Sequence, residues 1–150
     1  GGATDVITVR NFSATDGAGI AGAIATGADY VYMGTSFVAA SESLASQPYK
    51  DMLAAAGIED LLVSAGITGT PASWLKPSLI ANGYDPANMP DAPGKAYDST
   101  QNQSAKRWAD VWSAGQGVGA VKGTEPVAVI VDRLAAEYAA ARARFMVAGA

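Results

Sequence analysis

Along the first forty residues, short apolar runs alternate with turn clusters and one stretch of helical spacing. Residues 5–12 carry a β-branched alternation that predicts a short strand, and residues 13–17 form a polar turn cluster. Ile20, Ala21, Ile24 and Ala25 then recur at helical spacing, with Ser13, Thr15 or Asp16 available as a cap and Gly27 to close the helix. Residues 28–37 follow as an apolar, β-favouring run. Tyr30, Val31 and Tyr32 suit a buried strand, and Gly34 removes a side chain where that strand would end. Strand, helix and strand over residues 5–35 make a crossover of the length a parallel pair requires, with right-handed geometry expected. The C-terminal tip of a strand in such a sheet is where ligands sit, and Gly34-Thr35 offers amide N–H groups and a hydroxyl suited to phosphate.

The texture changes after Phe37. Residues 42–56 read as helical, with Pro48 starting a new helix and Tyr49, Met52 and Leu53 as its buried stripe. Residues 60–68 read as extended, 69–72 as a loop, and 74–80 as a short helical piece broken at Pro77. Residues 82–103, with Pro86, Pro90 and Pro93 among many small polar residues, read as a surface excursion. Residues 104–112 return to helix and place Trp108 and Trp112 on one face; 113–119 are a second glycine-rich loop. In the last segment Val127, Ile130, Val131, Leu134, Tyr138 and Phe145 recur with a period near 3.6 after Pro126. Asp132, Arg133, Glu137, Arg142 and Arg144 are expected on the opposite, exposed face.

Composition narrows the chemistry. A chain of 150 residues, 49% of them hydrophobic, has room for one core of ordinary size. A net charge of −4 with ten scattered Lys and Arg gives no basic stripe for nucleic acid. No apolar run is long enough to span a bilayer and no leader pattern opens the chain, so a cytoplasmic protein without membrane contact is expected. With neither cysteine nor histidine, thiol catalysis, thiolate metal sites, a Ser-His-Asp triad and an imidazole base are all excluded within these residues, and no metal site is expected. A bound cofactor, or a carboxylate, Lys, Arg or Tyr, must then carry any reaction. One βαβ unit buries only one face of two strands, so the sheet needs further strands from elsewhere.

Two stretches carry a family resemblance: Asp16-Gly17 through Gly27-Ala28-Asp29 to Tyr32-Met33-Gly34-Thr35-Ser36-Phe37, and Trp108 to Gly117 with the closing helix. Together they resemble the nitronate monooxygenases, formerly 2-nitropropane dioxygenases, over nearly the whole chain but only as the C-terminal portion of a family member. The resemblance implies an α/β fold, the C-terminal part of an FMN-binding (β/α)8 barrel with an added, mostly helical domain. Residues 1–40 would be the last two barrel strands with their helix, 41–118 the added domain on the substrate side, and 119–150 the final barrel helix. It implies FMN as cofactor and the oxidative denitrification of alkyl nitronates with O2. The cofactor-binding residues it implies are Ser13, Tyr32, Met33, Gly34, Thr35 and Gln116. Tyr32 stands where the family's phosphate pattern has Gln, and Ser13 where it has a second glycine. The family's catalytic histidine lies upstream of the region covered, so no catalytic residue is assigned here. Partners would be a small nitronate and O2, together with the missing N-terminal part or another chain to finish the sheet.

Other readings stay open on the residues alone. Gly34-Thr35 also serves as a plain turn, Ser13 and Gly17 as a helix cap, and residues 115–117 as an interdomain hinge. Trp108 and Trp112 are expected to be packing residues, and Lys76, Lys95, Lys106 and Lys122 solvated surface. An NAD(P)H:quinone oxidoreductase of the same superfamily and a truncated, non-catalytic half-barrel are the alternative functions.

Overall fold

The computed structural model describes residues 14–91 and 110–147. The expected strand over 5–12, Ser13, the pair of Lys95 and Lys106, Trp108 and most of the helix expected over 104–112 lie outside the described residues. The elements in chain order are α1 (Gly17–Ala25), a four-residue α2 (Thr35–Val38), α3 (Gln47–Ala55), β1 (Leu61–Ser64), β2 (Ala72–Leu75), α4 (Lys76–Ala81) and the long α5 (Val127–Val147). Two 3-10 turns, Ile58–Asp60 and Gln116–Ala120, connect them.

Local signals explain most of these boundaries. The Asp16 carboxylate caps α1 by accepting from Gly19 N at 2.7 Å, and Gly27, at φ 93°, turns the chain out of the helix. Pro48 sits in the first turn of α3, where its missing N–H costs nothing. Pro77 likewise begins α4 rather than breaking a helix, so Trp74 and Leu75 belong to a strand and the helical reading of 74–80 holds only from Lys76. β1 and β2 pair antiparallel, with Leu61 opposite Leu75 and Ser64 opposite Ala72. The segment over 41–118 is therefore not helical throughout. Trp112 also departs from expectation: it lies in extended chain beside β2, where Leu75 N donates to Trp112 O at 3.0 Å and Ala114 N donates to Ser73 O at 3.2 Å.

The core has two adjoining parts. Leu53, Leu75, Val118, Val121, Ala39, Ala56 and Ala114 pack together beneath Tyr49 and Trp112, and Ile67, Trp74, Leu79 and Val111 form a second cluster. Trp74 has no exposed surface, and its indole N–H donates to Ser64 O at 3.1 Å. Lys50 is also in the interior, only 5% exposed, with its ammonium donating to Ala40 O at 2.7 Å and Ser43 O at 3.0 Å. It ties the turn after α2 to α3. Lys50→Met keeps the aliphatic stem but strands these carbonyls, and is expected to cost about 3–6 kcal/mol in a chemical denaturation experiment, since bonds to charged donors contribute roughly 1.5–3 kcal/mol each. A loss no larger than a surface change would show that the ammonium bonds are dispensable.

α1 packs against α5. Gly17 permits the close crossing: a Cβ built there would lie 2.3 Å from Leu134 O and 2.4 Å from Tyr138 N. Its N–H donates to Glu137 Oε2 at 2.8 Å. Glu137 thus faces α1, and Arg133 pairs with Glu125 at 2.6 Å, so neither belongs to a purely solvated face. Ile130 and Ala141 are the buried positions of α5, whereas Val131 and Phe145, expected inside, are exposed.

The run over 28–37 differs most from expectation. It forms no named strand among the described residues, Tyr32 contributing a single bridge, and the rings of Tyr30 and Tyr32 are 68% and 65% exposed. A run of β-formers becomes a buried strand only where neighbours cover it. From Thr35 onward the chain is helical instead.

Candidate functional site

The carbonyl of Gly34 accepts from Phe37 N at 3.0 Å and Val38 N at 2.9 Å, which bends the chain into α2 directly after the extended run. Thr35 and Ser36 are the first residues of that turn, so their N–H groups precede the helical ladder, and neither finds a backbone acceptor among the described residues. Met33, Gly34, Thr35 and Ser36 line a small recess of about 20 Å3 together with Ala14, Thr15 and Gly117. Among the described residues no charged side chain is in this lining. Anion binding here would rest on amides and hydroxyls.

The glycines of the site have different jobs. Gly34 has φ −109°, open to any residue, and a Cβ there would meet nothing within 4 Å. Its missing side chain therefore leaves free space at the recess rather than relieving a clash. A Cβ on Gly117 would instead come within 2.7 Å of Thr15 Cγ2, so this glycine lets the 3-10 turn over Gln116–Ala120 close onto the segment before α1. Gly115 N donates to Thr35 Oγ1 at 2.9 Å across 80 residues of sequence. A hydroxyl that accepts this bond retains its own proton to donate elsewhere. Residues 112–114 run beside β2, so the hairpin is what delivers Gly115 and Gly117 to the tip.

Thr35, Gly34 and Gly115 also border a larger open hollow of about 320 Å3, walled by Val38, Tyr49, Ala72, Ser73, Ser113 and Ala114. The Tyr49 ring stacks on Trp112, centroids 5.0 Å apart and planes 12° from parallel, and its hydroxyl donates to Ser113 O. Burial pushes the Tyr49 phenol above its ordinary pKa, so it stays a donor at neutral pH. Behind the tip, Glu42 accepts from Val127 N through both carboxylate oxygens, at 3.1 and 3.0 Å, at the start of α5. These bonds hold its carboxyl below the usual range.

Of the residues singled out from sequence, Met33, Gly34 and Thr35 share the recess. Tyr32 and Gln116 are exposed and outside its lining, although Gln116 stands between Gly115, bonded to Thr35, and Gly117, in the lining. Ser13 lies outside the described residues. Ala14, Thr15, Ser36 and Gly117 are lining residues that sequence reasoning did not assign to the site. Only the glycine-rich composition of 113–119 signalled the last of them. Lys76 and Lys122, expected to be simply solvated, each donate to a backbone carbonyl, Glu59 O and Gly119 O. Among the described residues no group of three acidic side chains is placed to hold a metal ion, and no helix is long and apolar enough to cross a membrane.

Residues 14–137 match the family described as nitronate monooxygenase. A probable nitronate monooxygenase of Staphylococcus saprophyticus is 33% identical over 106 residues, 65% of this chain and 30% of that protein. The nitronate monooxygenase of Paraburkholderia phytofirmans is 31% identical over 129 residues, 81% of this chain and 35% of its own length. The chain thus spans about a third of these relatives. Among solved structures, a nitroalkane oxidase from Streptomyces ansochromogenes superimposes with a TM-score of 0.66 at 28% identity, covering 91% of this chain and 40% of that one. FabK from Thermotoga maritima gives 0.64 at 22% identity, covering 92% and 46%. The chain is a helix-rich α/β portion of a (β/α)8 barrel fold with its added, mostly helical part.

Proposed function

Because this chain belongs to the nitronate monooxygenase family, we propose that the complete protein is an FMN-dependent nitronate monooxygenase, in which these residues hold the phosphate end of the cofactor. The chain is from an oxidoreductase family; FMN and the nitronate substrate are the finer reading. The observation that carries it is the free space at Gly34 beside the N–H groups of Thr35 and Ser36, with the Thr35 hydroxyl proton available. A phosphate needs several donors and close approach to backbone, which these groups and the open position at Gly34 would offer. Met33, Gly34, Thr35 and Ser36 would hold it from one side and Thr15 and Gly117 would bound it from the other. FMN, when bound, supplies the electron acceptor for the substrate and the reductant for O2. The residues described here would bind and orient it. Residues 1–40, 41–118 and 119–150 would correspond to the barrel unit, the added domain and the last barrel helix.

The test is a titration of FMN against the protein, followed by the flavin's visible absorption band and by quenching of its fluorescence. A saturable change, competed by inorganic phosphate, is expected. A flavin spectrum that stays unchanged at every protein concentration would refute a phosphate site at this tip.

A further inference from the structure

We infer that Tyr49 and Lys50, consecutive residues of α3, are positioning residues that together fix the Gly34-Thr35 tip in the shape a phosphate requires. This rests on the reading of the recess given above. Neither side chain is in the lining of the recess, so each would act through the backbone it holds. The tip needs such support. α2 is a single turn, closed by Val38 N donating to Gly34 O at 2.9 Å and Ala39 N donating to Thr35 O at 3.3 Å, and one turn does not by itself offset the entropy of fixing its residues.

One arm of the support lies just beyond the last residue of α2. Ala39 and Ala40 are each 1% exposed, and the Lys50 ammonium donates to Ala40 O at 2.7 Å, Ser43 O at 3.0 Å and Ser41 O at 3.4 Å. A buried ammonium is costly without its acceptors, so the charge and the three carbonyls hold one another in a single arrangement. The other arm is Tyr49, whose hydroxyl donates to Ser113 O and whose ring stacks on Trp112. Two residues further on, Gly115 N donates to Thr35 Oγ1 at 2.9 Å. The chain leaving α2 and the chain running beside β2 therefore converge on Thr35, each gripped a few residues away by one of two adjacent side chains. Loosening either arm lets Thr35 turn, and a hydrogen bond weakens steeply as it loses alignment.

The experiment titrates the natural full-length protein with FMN and with riboflavin, the same flavin without its phosphate, each followed by fluorescence quenching. A general loss of structure weakens both flavins alike, whereas a displaced tip costs FMN alone. In Lys50→Met the preference for FMN over riboflavin is expected to fall about tenfold, the worth of one bond to a charged oxygen, with riboflavin affinity near the parent's. Tyr49→Phe, which keeps the ring and its stack, is expected to lower the preference about threefold, and it decides alone if Lys50→Met does not fold. A parent-like preference in either folded variant would overturn the positioning role and leave the phosphate reading standing. Equal affinity of the parent for the two flavins would overturn both.

Discussion

Gly34→Val is expected to weaken FMN binding by roughly ten- to a hundredfold, the loss of one hydrogen bond to a charged oxygen at about 1.5–3 kcal/mol. Gly34→Ala should show a smaller loss in the same direction. The reason lies in what surrounds the position. A Cβ there meets nothing within 4 Å, and φ −109° is accessible to every residue, so Gly34→Ala should leave folding unchanged and Gly34→Val nearly so. The substituent would instead take up open space in the lining that Gly34 shares with Thr35 and Ser36. Thermal melts of the ligand-free variants should match the parent, while their flavin titrations should not. Parent-like FMN affinity in Gly34→Val would place the phosphate elsewhere.

Gly17→Ala should have the opposite character: a large loss of stability without any direct effect on a ligand. Its Cβ would lie 2.3 Å from Leu134 O and 2.4 Å from Tyr138 N, both backbone atoms of a 21-residue helix that has no slack to move aside. α1 would have to withdraw from α5, and the bond from Gly17 N to Glu137 at 2.8 Å would be lost with it. Overpacking of this kind costs about 1–3 kcal/mol and occasionally more. At about 3 kcal/mol, the melting temperature of a chain this size falls by roughly 6–12 °C. Gly22→Ala in the same helix is the control: nothing lies within 4 Å of its Cβ, so the higher helix propensity of alanine should stabilise by about 0.5–1 kcal/mol. Equal melting temperatures for the Gly17 and Gly22 variants would show that the α1–α5 crossing is looser than described.

These two glycines also show what could be read in advance. Features set by local backbone chemistry were legible: Pro48 starting α3, Gly27 closing α1, the cap before α1 narrowed to Ser13, Thr15 or Asp16, and the period of α5. The Gly34-Thr35 tip was legible as a place of backbone exposure, because a glycine ending a β-favouring run has few other uses. What escaped was set by distant neighbours. Tyr30 and Tyr32 have strand-forming side chains, but whether they are covered depends on chain far away in sequence. Trp74 and Leu75 precede a proline that looked like a helix break and proved a helix start. Lys50 looked like one more surface cation until the carbonyls of 40–43 curled around it. Glu137 and Arg133 fall on the polar face of a helical wheel, yet each has a partner no wheel includes.

The recess is walled by residues 14–15, 33–36 and 117, so its two sides meet only after most of the polypeptide has found its place. Any occupant is therefore a fastener for the whole assembly as well as a reagent. By mass action, one present at a hundred times its dissociation constant adds about 2.7 kcal/mol against unfolding. A chain emptied of that occupant is expected to be looser and more easily degraded.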